Sequence, residues 1–452
     1  MPLVAATLRN TWVWLGTGGT LAIAWGATND EYSFSPNGWE NAIVKALGAL
    51  VQKPIDGTLI VVGVIALALA WWRVRPTRTQ QPAHAGLTLT LWSLPLLLVP
   101  PVLSPDATLY ADVGWMANAG LNPYVTGLGT TGSPYAIQVD PLWAGNGVAY
   151  PPLAIEVARA MVALTGAQPY WGYVAMRIPV LVSVAALVWV VPRLAGLLGV
   201  PRRGAVWLGV LNPLLVVHLI GGAHNDAPML AITLVAIWLA VRFPEWWMSL
   251  VVAPVVVGVA MAFKQQGGLA VVAVAGLPVA AALAGLPFWR RLRLLCWRTA
   301  VATVVTCGSF AAICLGTGLG FGWTRWLDLM GKAWTPAPLA LASKLGAALY
   351  GWAGGDPNVF LHDAGLVSTG ILIVVLVAIL VHYADRPLAG VAWGSLALVI
   401  LGQAMHPWYL SWSLVLLGLV RLTRTQRRAV WGLALAFVIW NAIQTVIWHG
   451  QH

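Results

Sequence analysis

Charge is what this sequence has least of. Only 9% of its 452 residues are Asp, Glu, Lys or Arg, while 59% are apolar and mean hydropathy is +0.79. A water-soluble globule this poor in polar groups cannot cover its own surface, so the chain belongs in a bilayer. Acids are the scarcer sign, 14 against 25 basic residues. The bases fall in short clusters between apolar runs and form no amphipathic face, which argues against nucleic acid as a partner. Cysteine is nearly absent. Cys296, Cys307 and Cys314 are an odd set, the last two lie in one apolar run, and they read as small buried hydrophobes. Asp-x-Asp, His-x-x-x-His and Cys-x-x-Cys are all missing, so neither a metal nor another cofactor is expected. GxxxxGK[ST] and a strand-linked GxGxxG are missing too, which disfavours reactions driven by ATP or a nucleotide-sugar.

What is present is apolar length. A helix needs about 20 mostly apolar residues to cross a bilayer with every backbone amide paired internally. Hydropathy predicts thirteen such spans: 8–27, 55–73, 86–103, 170–192, 204–222, 226–242, 248–264, 267–287, 299–319, 366–384, 388–404, 406–420 and 430–447. The predicted class is therefore an all-α polytopic integral membrane protein, one transmembrane domain over 1–452. Twenty-seven tryptophans, with pairs such as Trp71-Trp72 and Trp246-Trp247 where runs end, fit interfacial belts. Arg9 before a run ending Ala22-Ile23-Ala24 resembles a signal peptide, and an uncleaved anchor is expected.

Sidedness follows from the basic clusters. Arg9, Arg73/75/78, Arg193/202/203, Arg242, Arg290/291/293/298, Arg386 and Arg421/424/427/428 all fall on one side if 150–165 does not cross. The positive-inside rule makes that side cytoplasmic, together with the N-terminus. The segment 150–165, opening on Pro151-Pro152 and carrying Glu156 and Arg159, is then re-entrant or a surface helix. No Lys or Arg occurs between Arg78 and Arg159, so the intervening loop is expected outside. Two long outer loops follow, 104–165 (the first catalytic loop) and 320–365, each longer than a simple connection requires.

This topology brings polar residues to one outer face, where burying them costs free energy and needs a reason. Asp106 in SPDATLY suits a general base or, equally, a helix N-cap. Asp112 lies in the same loop. In GGAHNDAP the glycines permit close approach of a ligand. His224, Asn225 and Asp226 can orient sugar hydroxyls there, although capping of the next helix accounts for one of them. Lys264 can meet a substrate phosphate or snorkel to lipid. Arg325 offers a bidentate phosphate clamp or a surface pair with Asp328. Gln403, His406 and Tyr409, in QAMHPWY, would face the same cavity.

Three of these stretches resemble a known family. Ser104-Pro105-Asp106 through Tyr110, continuing to Gly120-Leu121-Asn122-Pro123-Tyr124, is similar to the first outer loop of actinobacterial polyprenyl-phosphomannose-dependent α-1,6-mannosyltransferases. Gly221-Gly222-Ala223-His224-Asn225-Asp226 and His406-Pro407-Trp408-Tyr409 look like two further motifs in the same order. The likeness spans roughly 85–420. It departs where the family commonly has Arg before the aspartate and Tyr-Ser-Tyr after it, against Pro105 and Thr108-Leu109-Tyr110 here. The resemblance implies a GT-C fold and Asp106 as catalytic base. It also implies mannose transfer from polyprenyl phosphate mannose to a lipid-linked α-1,6-mannan acceptor of the lipomannan and lipoarabinomannan kind, at the outer face of the cell membrane. Membrane lipids are the other expected partners. A GT-C enzyme using another polyprenyl-phosphate sugar is an alternative. The rival of another class is a transporter or flippase for a polyprenyl-linked glycan, which would place functional polar residues at midplane or at both ends.

Overall fold

The computed structural model describes residues 2–28, 39–51, 54–77, 83–243, 245–327, 329 and 335–450. Among them every regular element is helical, and the nearest approach to a strand is an isolated bridge between Leu128 and Ala144. Six described helices are long and apolar enough to cross a bilayer: Ile55–Arg73, Pro169–Leu197, Gln265–Gly285, Phe288–Gly316, Pro357–His382 and Arg424–Ile447. Leu215–Gly221 and Asp226–Arg242 together make a seventh, bent by 112° at its break.

This is fewer than the thirteen spans expected. The remaining apolar stretches are broken or short: Thr11–Gly26, Ala85–Leu96, Met248–Phe263, Pro387–Leu401 and Leu410–Leu417. Hydropathy registers apolar character but not interruptions. The expected span 204–222 shows the reason, because its helix stops at Gly209 and restarts at Leu215. Pro213 removes an amide there. Asn212 bridges the gap, its amide donating to the Leu208 and Gly209 carbonyls and its oxygen accepting from Leu215 N.

Packing is closest where side chains vanish. Thr11–Gly26 lies against Ile55–Arg73 so tightly that a Cβ on Gly63 would stand 2.4 Å from the Gly19 carbonyl oxygen. The loop helix Asp106–Asn118 crosses Pro152–Leu164 in the same way, since a Cβ on Gly114 would meet Ala158 O at 2.5 Å. Pro152–Leu164 has 13 residues and rises about 20 Å, short of the ~30 Å hydrocarbon layer. Two apolar clusters result: one among the long helices, the other gathering residues of the 104–176 segment with Ala223, Ala262, Phe310, Cys314 and Trp323.

Candidate active site

The site forms where helix ends meet. Asp106 is the first residue of Asp106–Asn118, and His224 and Asp226 lie at the break of the bent pair. Lys264 separates Ala253–Phe263 from Gln265–Ala270, and His406 precedes the turn Pro407–Tyr409. Helix ends leave polar backbone unpaired, so this is where an apolar bundle can hold polar side chains without breaking a ladder.

Asp106 does not cap its helix. Its Oδ2 lies 3.4 Å from His224 Nδ1 and accepts from the Tyr110 hydroxyl at 3.2 Å. The Tyr110 oxygen is also 3.4 Å from Asn225 Oδ1 and 3.5 Å from the Tyr150 hydroxyl. One phenolic proton thus serves two carbonyl-type acceptors, leaving lone pairs of Asp106 free for a substrate proton. Burial would raise the Asp106 carboxyl. The imidazole of His224 lying against it and the charges of His224, His406 and Lys264 outweigh it and lower the pKa from 3.8 to about 2. Nearby, burial and the neighbouring acid push the Tyr150 phenol well above its usual value, which keeps it neutral.

Asp226 carries the second interaction. Lys264 Nζ donates to both of its oxygens at 2.9 Å, and Trp412 Nε1 donates to Oδ1 at 2.7 Å. The pair is almost fully buried. The ammonium also lies 4.6 Å from the centre of the Tyr409 ring and 5.4 Å from that of Trp412. Lys264 therefore does not snorkel.

Aromatic stacking fixes the imidazoles. Trp408 stacks with both His224 and His406, with ring centres 4.0 and 4.6 Å away. The indole thereby aligns the two imidazoles. His224 is wholly buried, and neither of its nitrogens makes a geometrically sound hydrogen bond among the described residues. An orphaned imidazole in a polar setting points to a ligand or ordered water as its partner.

Some sequence expectations change here. Neither Asn225 nor Asp226 caps the following helix with its side chain; both oxygens of Asp226 are held by Lys264 instead. Gly221 and Gly222 admit the chain itself, not a ligand, since Val102 and the His218 carbonyl fill the space a Cβ would take. Asp112, wholly buried, spends its carboxylate on Ser133 Oγ and Gly129 N, pinning the loop and leaving nothing for substrate. Gln403 donates to Gly365 O at 3.3 Å. Arg325 is exposed on Gly322–Trp326, and no described contact joins it to Asp106. The Asp328 suggested as its partner lies outside the described residues.

Other residues were not anticipated. Arg177, buried in a long helix, donates to the Pro100, Ile220 and Gly221 carbonyls at 3.1, 3.2 and 2.7 Å. It ties the approach to Asp106 to the approach to His224. A lone cation inside a predicted apolar run was its visible signal. His218, 3.3 Å from Asn441, was marked by a His inside an apolar run. Trp412 had no signal, being one tryptophan among 27. Among the described residues no three His, Cys, Asp or Glu side chains group as a metal site.

Comparison with known proteins covers the segments that carry these residues. Residues 13–282 match the family model described as alpha-(1->6)-mannopyranosyltransferase, N-terminal domain, and 339–443 match the MptB C-terminal domain. Asp106, His224, Asp226 and Lys264 fall in the first and His406, Tyr409 and Trp412 in the second, so the site needs both. Alpha-(1->6)-mannopyranosyltransferase A of Mycobacterium tuberculosis is 30% identical over 84% of this chain and 74% of its own. Alpha-(1->6)-mannopyranosyltransferase B of Corynebacterium glutamicum is 27% identical over 90% of this chain and 72% of its own. No solved structure matches. With more than half its length covered by that family model, the chain belongs to the alpha-(1->6)-mannopyranosyltransferase family.

Proposed function

We propose that this membrane protein transfers mannose from a polyprenyl phosphate to a lipid-linked α-1,6-mannan acceptor, on the outer face of the membrane and in a GT-C architecture. The observation that carries the reading is the Asp106 carboxylate, held ionised beside His224 and Tyr110 at a junction of helix ends. The acceptor hydroxyl oxygen bonds to the anomeric carbon as the bond from that carbon to the phosphate oxygen breaks. The hydroxyl proton passes to Asp106, and polyprenyl phosphate leaves with the electron pair. An α linkage made by this single inversion requires a β-configured donor. A carboxylate of pKa about 2 is a weak base towards a resting alcohol. It becomes competent once carbon–oxygen bonding has made that hydroxyl acidic, which places proton transfer late.

Lys264 gives two of its three N–H donors to Asp226, and the third is available to neutralise the departing phosphate. Asn225 and the imidazoles of His224 and His406 position the sugar and acceptor hydroxyls. The functional groups gather at one junction of helix ends, which supports chemistry at one site over transport. The test uses the purified protein with radiolabelled polyprenyl-phosphomannose and a mannan-like acceptor, with and without chelator. Asp106→Asn should lower turnover by about 10²- to 10⁴-fold while donor binding persists. Transfer at the wild-type rate would remove Asp106 from the mechanism.

A further inference from the structure

A cavity of about 470 Å³ lies at the opposite end of the long helices from Asp106 and takes no part in the chemistry proposed above. The helix Arg177–Leu197 relates the two ends. Arg177 grips the carbonyls beside the Asp106 group, whereas Pro192, fifteen residues and about 22 Å further along, lines the cavity. Four guanidinium-bearing residues line it: Arg73 and Arg75 from the end of an apolar span, and Arg202 and Arg203 from the start of the next helix. Among the described residues no carboxylate lines it. None of the four arginines forms an ion pair among the described residues.

The positive-inside tendency accounts for arginines on this side but not for their arrangement. Arg73 and Arg75 are set over the Trp12 and Trp72 rings at 4.6 and 4.4 Å, and Arg75 is further held by the Trp72 carbonyl. The floor is firm. Trp207 stacks on Trp71 at 4.3 Å, and each indole N–H donates to the other residue's carbonyl oxygen. Like charges around one concavity repel unless an anion sits among them, and guanidinium matches phosphate geometry better than any other side chain. Arg73 is the last residue of a bilayer-length helix, the level at which lipid headgroups meet a spanning helix.

We propose that this cavity binds the phosphate of an anionic lipid headgroup. The test uses the full chain in neutral detergent and native mass spectrometry with dioleoyl phosphatidic acid, phosphatidylcholine or inorganic phosphate. Phosphatidic acid should bind at least tenfold more tightly than phosphatidylcholine. Arg73→Gln/Arg202→Gln should remove that preference, and so should Val206→Trp, which fills the cavity and keeps every charge. Arg290→Gln/Arg293→Gln, a charge-matched change outside the cavity, should retain it. The proposal fails if the cavity variants bind phosphatidic acid as the wild type does, or if the control loses binding equally. Displacement of the lipid by equimolar inorganic phosphate would reassign the site to a soluble anion.

Discussion

Asp106 and the Lys264–Asp226 pair show how burial turns single residues into chemistry. Burial alone would raise the Asp106 pKa, yet the balance with His224, His406 and Lys264 leaves it depressed to about 2. A depressed carboxyl stabilises the fold above its unfolded value of 3.8, and the effect is lost as pH falls through 2. The shift corresponds to about 2 kcal/mol. The stability gap between wild type and Asp106→Asn should therefore be constant from pH 5 to pH 8, read from thermal unfolding in detergent. Over that range Asp106 should add no acid limb to the rate profile. An acid limb near neutrality that vanished in Asp106→Asn would contradict the assignment. The buried ion pair gives a different expectation. Lys264→Met alone strands the Asp226 charge and should cost about 3–5 kcal/mol, whereas Lys264→Met/Asp226→Leu should recover most of that loss. Equal destabilisation by the single and double changes would mean the pair is not energetically coupled.

Among the elements, the broken helix matters most. Leu103 and Ala223 adopt φ of 58° and 55°, a conformation an L side chain rarely takes. One lies three residues before Asp106 and the other directly before His224. Val102 N donates to Gly221 O at 3.3 Å, and Arg177 binds the carbonyls of both strained approaches. Strain persists only where surroundings over-determine it. Ala223→Gly should be tolerated within about 1 kcal/mol. Arg177→Lys, which cannot reproduce the fork, should lower turnover far more than donor affinity; a matched loss of both would refute a positioning role. A second element-level expectation concerns Thr11–Gly26 and Ile55–Arg73. Gly63→Val must push its Cβ into the Gly19 carbonyl and should cost at least about 1–3 kcal/mol, while Gly18→Ala, with open space around it, should be neutral. Comparing the two melting curves separates this contact from a general intolerance of side chains on the helix.

At the scale of the whole molecule, the proposed sidedness predicts labelling. In a background with Cys296, Cys307 and Cys314 changed to Ser, Thr130→Cys should react with an impermeant maleimide in intact cells. Arg427→Cys should react only after permeabilisation. The reverse pattern, or labelling of both from outside, would end the outer-face proposal. The bilayer class and the gathering of Asp106, His224, Asp226, Lys264 and His406 were legible in the sequence. Composition and the spacing of polar residues are local quantities, and a low-dielectric solvent amplifies them. The sequence likewise determined where charge lies relative to each apolar run. Tertiary packing alone decided how many runs become full helices, that Lys264 closes on Asp226, that Trp408 stacks with two imidazoles, and that Arg177 clamps the turn. Those outcomes depend on contacts between residues far apart in the chain, such as Trp412 with Asp226, 186 positions away. No local periodicity encodes the geometry that joins them.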